Sequence, residues 1–137
     1  MNSKKLHIVA VTGVISKEGK FLIVKRSKKE IAYPGMWTVP GGKIEAPDDC
    51  FATLKREIKE EVGIKIKKRV VFLKDYEFTR PDDYHVIGIT FACRYKSGKV
   101  KLSRDFTDFA WVTIKEAQNY NIIPGVYKDL KLATKTL

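Results

Sequence analysis

Apolar and β-branched residues dominate from Leu6 to Ile15 and again from Phe21 to Val24, on either side of the polar turn Lys17-Glu18-Gly19-Lys20. Two such runs joined by a glycine-bearing turn predict a β-hairpin. From Tyr33 to Gly42 the chain collects two prolines, three glycines and a tryptophan, which predicts a loop rather than a helix or a long strand. The period then changes. Phe51, Leu54, Ile58 and Val62 recur at three- and four-residue spacing, with Asp48 or Asp49 available as N-cap and Gly63 as stop, so a helix is predicted from about Asp49 to Val62. Val70–Leu73, Val86–Cys93 and Phe109–Val112 read as strands, and Ile114–Tyr120 and Val126–Ala133 as shorter helices. This order points to an α/β fold, a mixed sheet covered by helices on both faces, while periodicity leaves the strand order open. Length and apolar content suit one domain over residues 1–137, with no linker, repeat or low-complexity segment.

Charge narrows the partners without choosing among them. The formal net charge is +11, which attracts polyanions such as nucleotides, nucleic acid or an acidic surface. The excess also fits an ordinary solvated surface, because the lysines are spread and only Lys65, Lys67, Lys68 and Arg69 cluster. No apolar run approaches the roughly 18 residues of a membrane span. Met1–Lys5 is polar and basic, without the apolar region of a secretory signal, so a cytoplasmic location is the default expectation. Cys50 and Cys93 fit neither a metal spacing nor a disulfide framework, and both are expected to stay reduced, with Cys93 packed in a strand. His7 and His85 stand alone in the sequence and support no argument.

The predicted helix carries the candidate chemistry. Glu57, Glu60 and Glu61 stand at i, i+3 and i+4, so their carboxylates share a face and repel one another. A hard divalent cation relieves that repulsion, and an all-oxygen ligand set suits Mg²⁺ or Mn²⁺, with substrate phosphates completing the shell. A bare acidic helix face is more often only solvated. The surrounding residues change that balance: Gly42 is followed after five residues by Asp48, then after seven by Arg56-Glu57-Ile58, Lys59, Glu60-Glu61, Val62, Gly63 and Ile64.

This arrangement resembles the box of the Nudix family, MutT-like nucleotide pyrophosphohydrolases with the signature G-x5-E-x7-R-E-U-x-E-E-x-G-U, where U is bulky and aliphatic. Every defined position matches except the first glutamate, replaced here by Asp48. Tyr33–Gly42 looks like the family's approach to the box, and nothing from Leu6 to about Leu132 looks foreign to it. The resemblance implies a Nudix-type α/β/α sandwich and hydrolysis of a diphosphate linkage by water. It further implies Mg²⁺, with Mn²⁺ as substitute, held by Glu57, Glu60 and Glu61, one acidic group helping to activate the water. Gly41 and Gly42 would let the backbone approach metal or phosphate, which a Cβ would obstruct. Arg56, one residue from Glu57 and so on a different helix face, would support the loop by reaching Asp48 or nearby backbone. Asp48 itself is either that partner, with a shorter reach, or a helix N-cap.

Family members often supply a further acidic ligand ahead of a tryptophan-bearing strand; Asp105 and Asp108, before Trp111, are the matching residues, each equally readable as a loop residue or cap. Arg26, with Lys25 beside it, ends the second strand, where related enzymes place a basic residue on the phosphates, and a guanidinium fork suits that task. Trp37 is a candidate to stack on a base and equally a candidate for the core. The substrate expected is a small nucleotide, with nucleic acid and membrane not required. A nucleoside triphosphate is favoured; ADP-ribose or another nucleotide sugar, a dinucleoside polyphosphate and capped RNA are the alternatives. A non-catalytic nucleotide- or RNA-binding module is the rival from another class, and a homodimer completing a larger pocket stays open.

Overall fold

The computed structural model describes residues 6–136. The basic lead Met1–Lys5 and the last residue of the expected 1–137 domain lie outside them. The hairpin is present as β1 (His7–Lys17) and β2 (Lys20–Arg26), paired antiparallel through Ser16↔Phe21 and Lys17↔Lys20. The expected loop at Tyr33–Gly42 contains two short strands, β3 (Trp37–Thr38) on β2 and β4 (Gly41–Lys43) on β1. The helix follows as α1 (Cys50–Val62), capped by Asp49, whose carboxylate accepts from the Ala52 N–H at 2.8 Å, and closed by Gly63 in the left-handed region at φ 77°. Of the two aspartates offered as caps, Asp49 takes the role, and Asp48 does not cap the helix.

Beyond α1 come β5 (Lys65–Ile66), β6 (Val71–Thr79), β7 (His85–Ser97), β8 (Phe106–Val112), α2 (Ile114–Ala117) and α3 (Val126–Thr134). The strands β6, β7 and β8 are longer than their apolar cores suggested, and α2 is shorter than Ile114–Tyr120, ending in tight turns at Asn119 and Tyr120. The sheet runs β3-β2-β1-β7-β5, with β4 also on β1, β6 on β7 and β8 on β2. The β1–β7 pairing is parallel, from His7↔His85 to Ser16↔Arg94, and the other pairings are antiparallel, so the sheet is mixed as expected.

Both faces are covered. Val11, Ile15, Leu22 and Val24 pack with Leu54, Ile58 and Val62 of α1, while Val14, Phe21 and Ile23 pack with Leu130 and Ala133 of α3. Burial on both sides is why β2 reads as an unbroken apolar run rather than an alternating one. Gly13 sits under α1, where a Cβ would come within 3.0 Å of Ile58. The helix is therefore seated close against β1, beside the Gly41–Lys43 strand that pairs with Ala10–Thr12. Cys93 is fully buried in a strand, its thiol pushed up to about 12 by burial, and Cys50 is also a free thiol.

Candidate active site

The register of β4 on β1, Gly42 opposite Val11 and Gly41 opposite Thr12, sets the Gly-Gly turn against α1. A side chain on Gly41 would meet backbone, and one on Gly42 would displace the Glu57 carboxyl group. A Cβ on Gly41 would lie 2.2 Å from the Val11 carbonyl oxygen, and one on Gly42 would lie 2.3 Å from Cδ of Glu57. The Gly41 N–H donates to Oε1 of Glu61 at 2.9 Å. The turn and the helix carboxylates thus form one surface.

Burial and mutual repulsion act on these carboxylates. Glu61 is pushed up to about 7, first by burial and then by the Glu57 and Asp105 carboxylates, against the Gly41 N–H and Arg26, which favour its charged form. Glu57 is also raised, by burial and by Glu60, with Arg56 opposing. Among the described residues no three acidic or histidine side chains already converge on one coordination point. The donors are carboxylate and backbone oxygens, the kind hard divalent cations take, and the charged forms of Glu57 and Glu61 lack the compensation that such a cation would supply.

Arg56 lies at the edge of this surface. It is ion-paired to Asp48, and its other nitrogens stand 3.5 Å from Glu57 and 3.8 Å from Glu60. The shorter side chain of Asp48 therefore does reach Arg56. The expectation that Arg56 is kept from Glu57 by helix phase needs correction: its long side chain brings the guanidinium within 3.5 Å of Glu57 and 3.8 Å of Glu60.

The remaining candidates separate. Asp105 is close enough to raise Glu61, and its carbonyl accepts from the Ser27 N–H at 2.9 Å, which ties its loop to the end of β2. Asp108 is exposed on β8, opposite Lys25, and its carboxylate accepts from the N–H of Phe109. Arg26 faces Glu61 electrostatically, while its Nε donates to the Ala32 carbonyl at 2.9 Å and its Nη2 pairs with Glu30 at 3.3 Å. Trp37 is a core residue, 9% exposed, with its ring edge-on to Tyr120 at 4.9 Å. Stacking on a base is not open to a ring held inside the fold.

The aromatic surface lies elsewhere. On the α3 side of the sheet a cleft of about 440 Å³ is lined by Thr12, Thr38 and Val39 next to the Gly-Gly turn, by Tyr33, Tyr76 and Phe78, and by Lys74 and Asp129. Sequence reasoning missed it, although Lys74, Tyr76 and Phe78 recur at period two along β6. Another cavity, about 530 Å³ beside Lys17, Lys67 and Arg94, touches none of the box residues.

Comparison with known proteins settles the family, because the NUDIX domain model matches residues 5–131. This chain belongs to the Nudix family. It is 28% identical over 131 residues to the nucleoside triphosphatase NudI of Escherichia coli, covering 89% of this chain and 93% of that protein. The MutT protein of Methanosarcina mazei is 26% identical with a TM-score of 0.74, covering 96% of each chain. The MutT Nudix hydrolase of Burkholderia pseudomallei shares the fold at 21% identity, with a TM-score of 0.79 over 93% of this chain and 98% of that one. The α/β sandwich and the Nudix pyrophosphohydrolase class expected from the sequence both stand. Among the described residues no helix is long and apolar enough to cross a membrane.

Proposed function

We propose that this Nudix hydrolase cleaves a phosphoanhydride bond of a nucleoside triphosphate, using Mg²⁺, with Mn²⁺ able to substitute. The observation that carries the reading is the placement of the Gly41–Gly42 turn, which touches Glu57 and Glu61 on one side and, through Thr12 and Val39, borders the aromatic cleft on the other. A nucleotide lying across the turn would have its phosphates at the carboxylates and its nucleoside in the cleft.

In this reading Glu57, Glu60 and Glu61 hold the ion, with Asp105 and the Gly42 backbone as further oxygen donors. A divalent ion bound there would supply charge neutralisation for the phosphates and the leaving oxygen. A carboxylate of the same set takes the proton of the attacking water, and Arg26, beside Glu61, grips phosphate oxygens. Arg56, bound to Asp48, fixes the helix face and its approach.

A triphosphate is favoured over ADP-ribose or a dinucleoside polyphosphate because the cleft has room for one nucleoside and the +11 charge favours the more concentrated anion. The relative's name, nucleoside triphosphatase, supports the same substrate class. The test compares kcat/KM for the four ribonucleoside triphosphates, ADP-ribose and a diadenosine polyphosphate at one Mg²⁺ and one salt concentration. A triphosphate should lead; ADP-ribose leading by more than about tenfold would overturn the reading.

A further inference from the structure

Two side chains in the aromatic cleft have no part in the phosphate chemistry. Lys74, on β6, and Asp129, on α3, are the charged residues of its lining. They meet across the cleft wall at 2.6 Å, Lys74 Nζ to the buried Asp129 Oδ1. The Asp129 side chain is only 9% exposed, whereas 33% of the Lys74 side chain is open. The ammonium is therefore the accessible end of the pair, and the carboxylate is its support from behind.

The ammonium lies beside a surface shaped for a flat ring. Tyr76 is opposite Gly88 in the β6–β7 register, and a Cβ on Gly88 would fall 2.0 Å from the Tyr76 ring. The ring lies over the bare glycine, nearly parallel to Phe78 at an interplanar angle of 7°, with Lys74 Nζ 5.8 Å from the Tyr76 centroid. An aromatic platform holds any nucleobase. One fixed cation beside it does not treat all bases alike.

We infer that Lys74 is a specificity-determining residue that selects nucleobases carrying an oxygen at purine C6 or pyrimidine C4, guanine and uracil or thymine, over adenine and cytosine, which carry an amino group there, and that Asp129 is its positioning residue. The inference rests on the cleft being the nucleoside site. An ammonium has donors only and no acceptor. It bonds an exocyclic oxygen at that position and disfavours the amino group that stands there in adenine and cytosine, because a donor facing a donor forfeits the hydrogen bond. An ion pair closed at its carboxylate end seldom adds net stability over an apolar pair, and its open ammonium end is the part that a ligand in the cleft would meet.

The experiment measures binding of GMP, AMP, UMP and CMP by calorimetry in EDTA, so that it does not depend on hydrolysis. GMP over AMP and UMP over CMP should each be favoured by at least about tenfold. Lys74→Met with Asp129→Asn, which removes both charges at nearly constant volume, should bring both ratios to within about twofold, while Lys74→Arg, which keeps a donor, should retain the preference. Ratios near one in the parent, no binding of any of the four, or the parent's ratios surviving in the double variant would each overturn the inference. So would an equal loss for all four nucleotides in the double variant and in Lys74→Arg, because that is the mark of a tether between β6 and α3. Failure to hydrolyse any triphosphate would sink the proposed reaction and leave these ratios readable.

Discussion

Gly42 and Glu57 are in direct register: the space a Cβ would occupy on the glycine is filled by the glutamate carboxyl group, 2.3 Å away. The first box residue is thus a socket for the first helix carboxylate. Gly42→Ala should displace Glu57 and lower kcat by at least about tenfold, with a smaller effect on melting temperature, because the flexible glutamate can swing away. Steady-state rates beside a thermal melt check this, and unchanged kcat would mean that the position of Glu57 is immaterial.

Glu61→Gln should lower turnover by at least about 100-fold with the fold intact. The amide keeps an oxygen for the Gly41 N–H but loses the ligand charge. Activity within threefold of the parent would remove Glu61 from the proposed metal site.

The same residue predicts how stability depends on pH in the metal-free protein. Its pKa is raised from 4.5 to about 7, so the native state binds the extra proton in that interval. The stability this contributes is fully present below about 4.5 and is lost as pH rises through about 7. Urea unfolding in EDTA should give a stability lower at pH 8 than at pH 5 by on the order of 2–3 kcal/mol. Glu61→Gln should flatten this slope. An identical slope in the variant would assign it to other groups, Glu57 and Asp129 being raised in the same direction.

Asp48→Glu should be tolerated, since a longer carboxylate can still pair with Arg56, whereas Asp48→Ala should weaken activity by about tenfold through the freed guanidinium. Comparing kcat for the two variants distinguishes a pairing role from a capping role. As Asp49 already caps α1, equal loss of melting temperature in both would contradict the pairing.

Trp37→Phe should lower the melting temperature by several degrees and leave KM within about twofold, as expected of a core ring against Tyr120. A several-fold rise in KM without destabilisation would return Trp37 to the substrate.

What was legible in the sequence was what local pattern controls. The three- and four-residue spacing of Phe51, Leu54, Ile58 and Val62 set α1, and the box spacing set which carboxylates it shows. The strands Trp37–Thr38 and Gly41–Lys43 were illegible because their residues have no common strand preference; they are extended because β2 and β1 lie alongside to pair with them. The outer half of β6, through Lys74 and Glu77, is polar enough to pass for loop and is held by β7. Arg56 was misjudged by helix phase alone, which ignores how far a guanidinium reaches. The cleft was missed because Tyr33, Tyr76 and Asp129 are far apart in the chain, and only the sheet brings them together.

The parallel alignment of β1 with β7 sets the order in which all this can assemble. Residues at the start of the described chain must find partners beyond its midpoint, from His7↔His85 to Ser16↔Arg94, before the central ladder exists. Loop closure on that scale precedes its reward, and such topologies fold slowly for their size. Helix α1 and the hairpin need only local contacts and can form early, but the Gly-Gly turn is pinned to β1 and the cleft is floored by β7. Catalytic competence should therefore appear in refolding only with the last, slow phase, well after helical signal has returned.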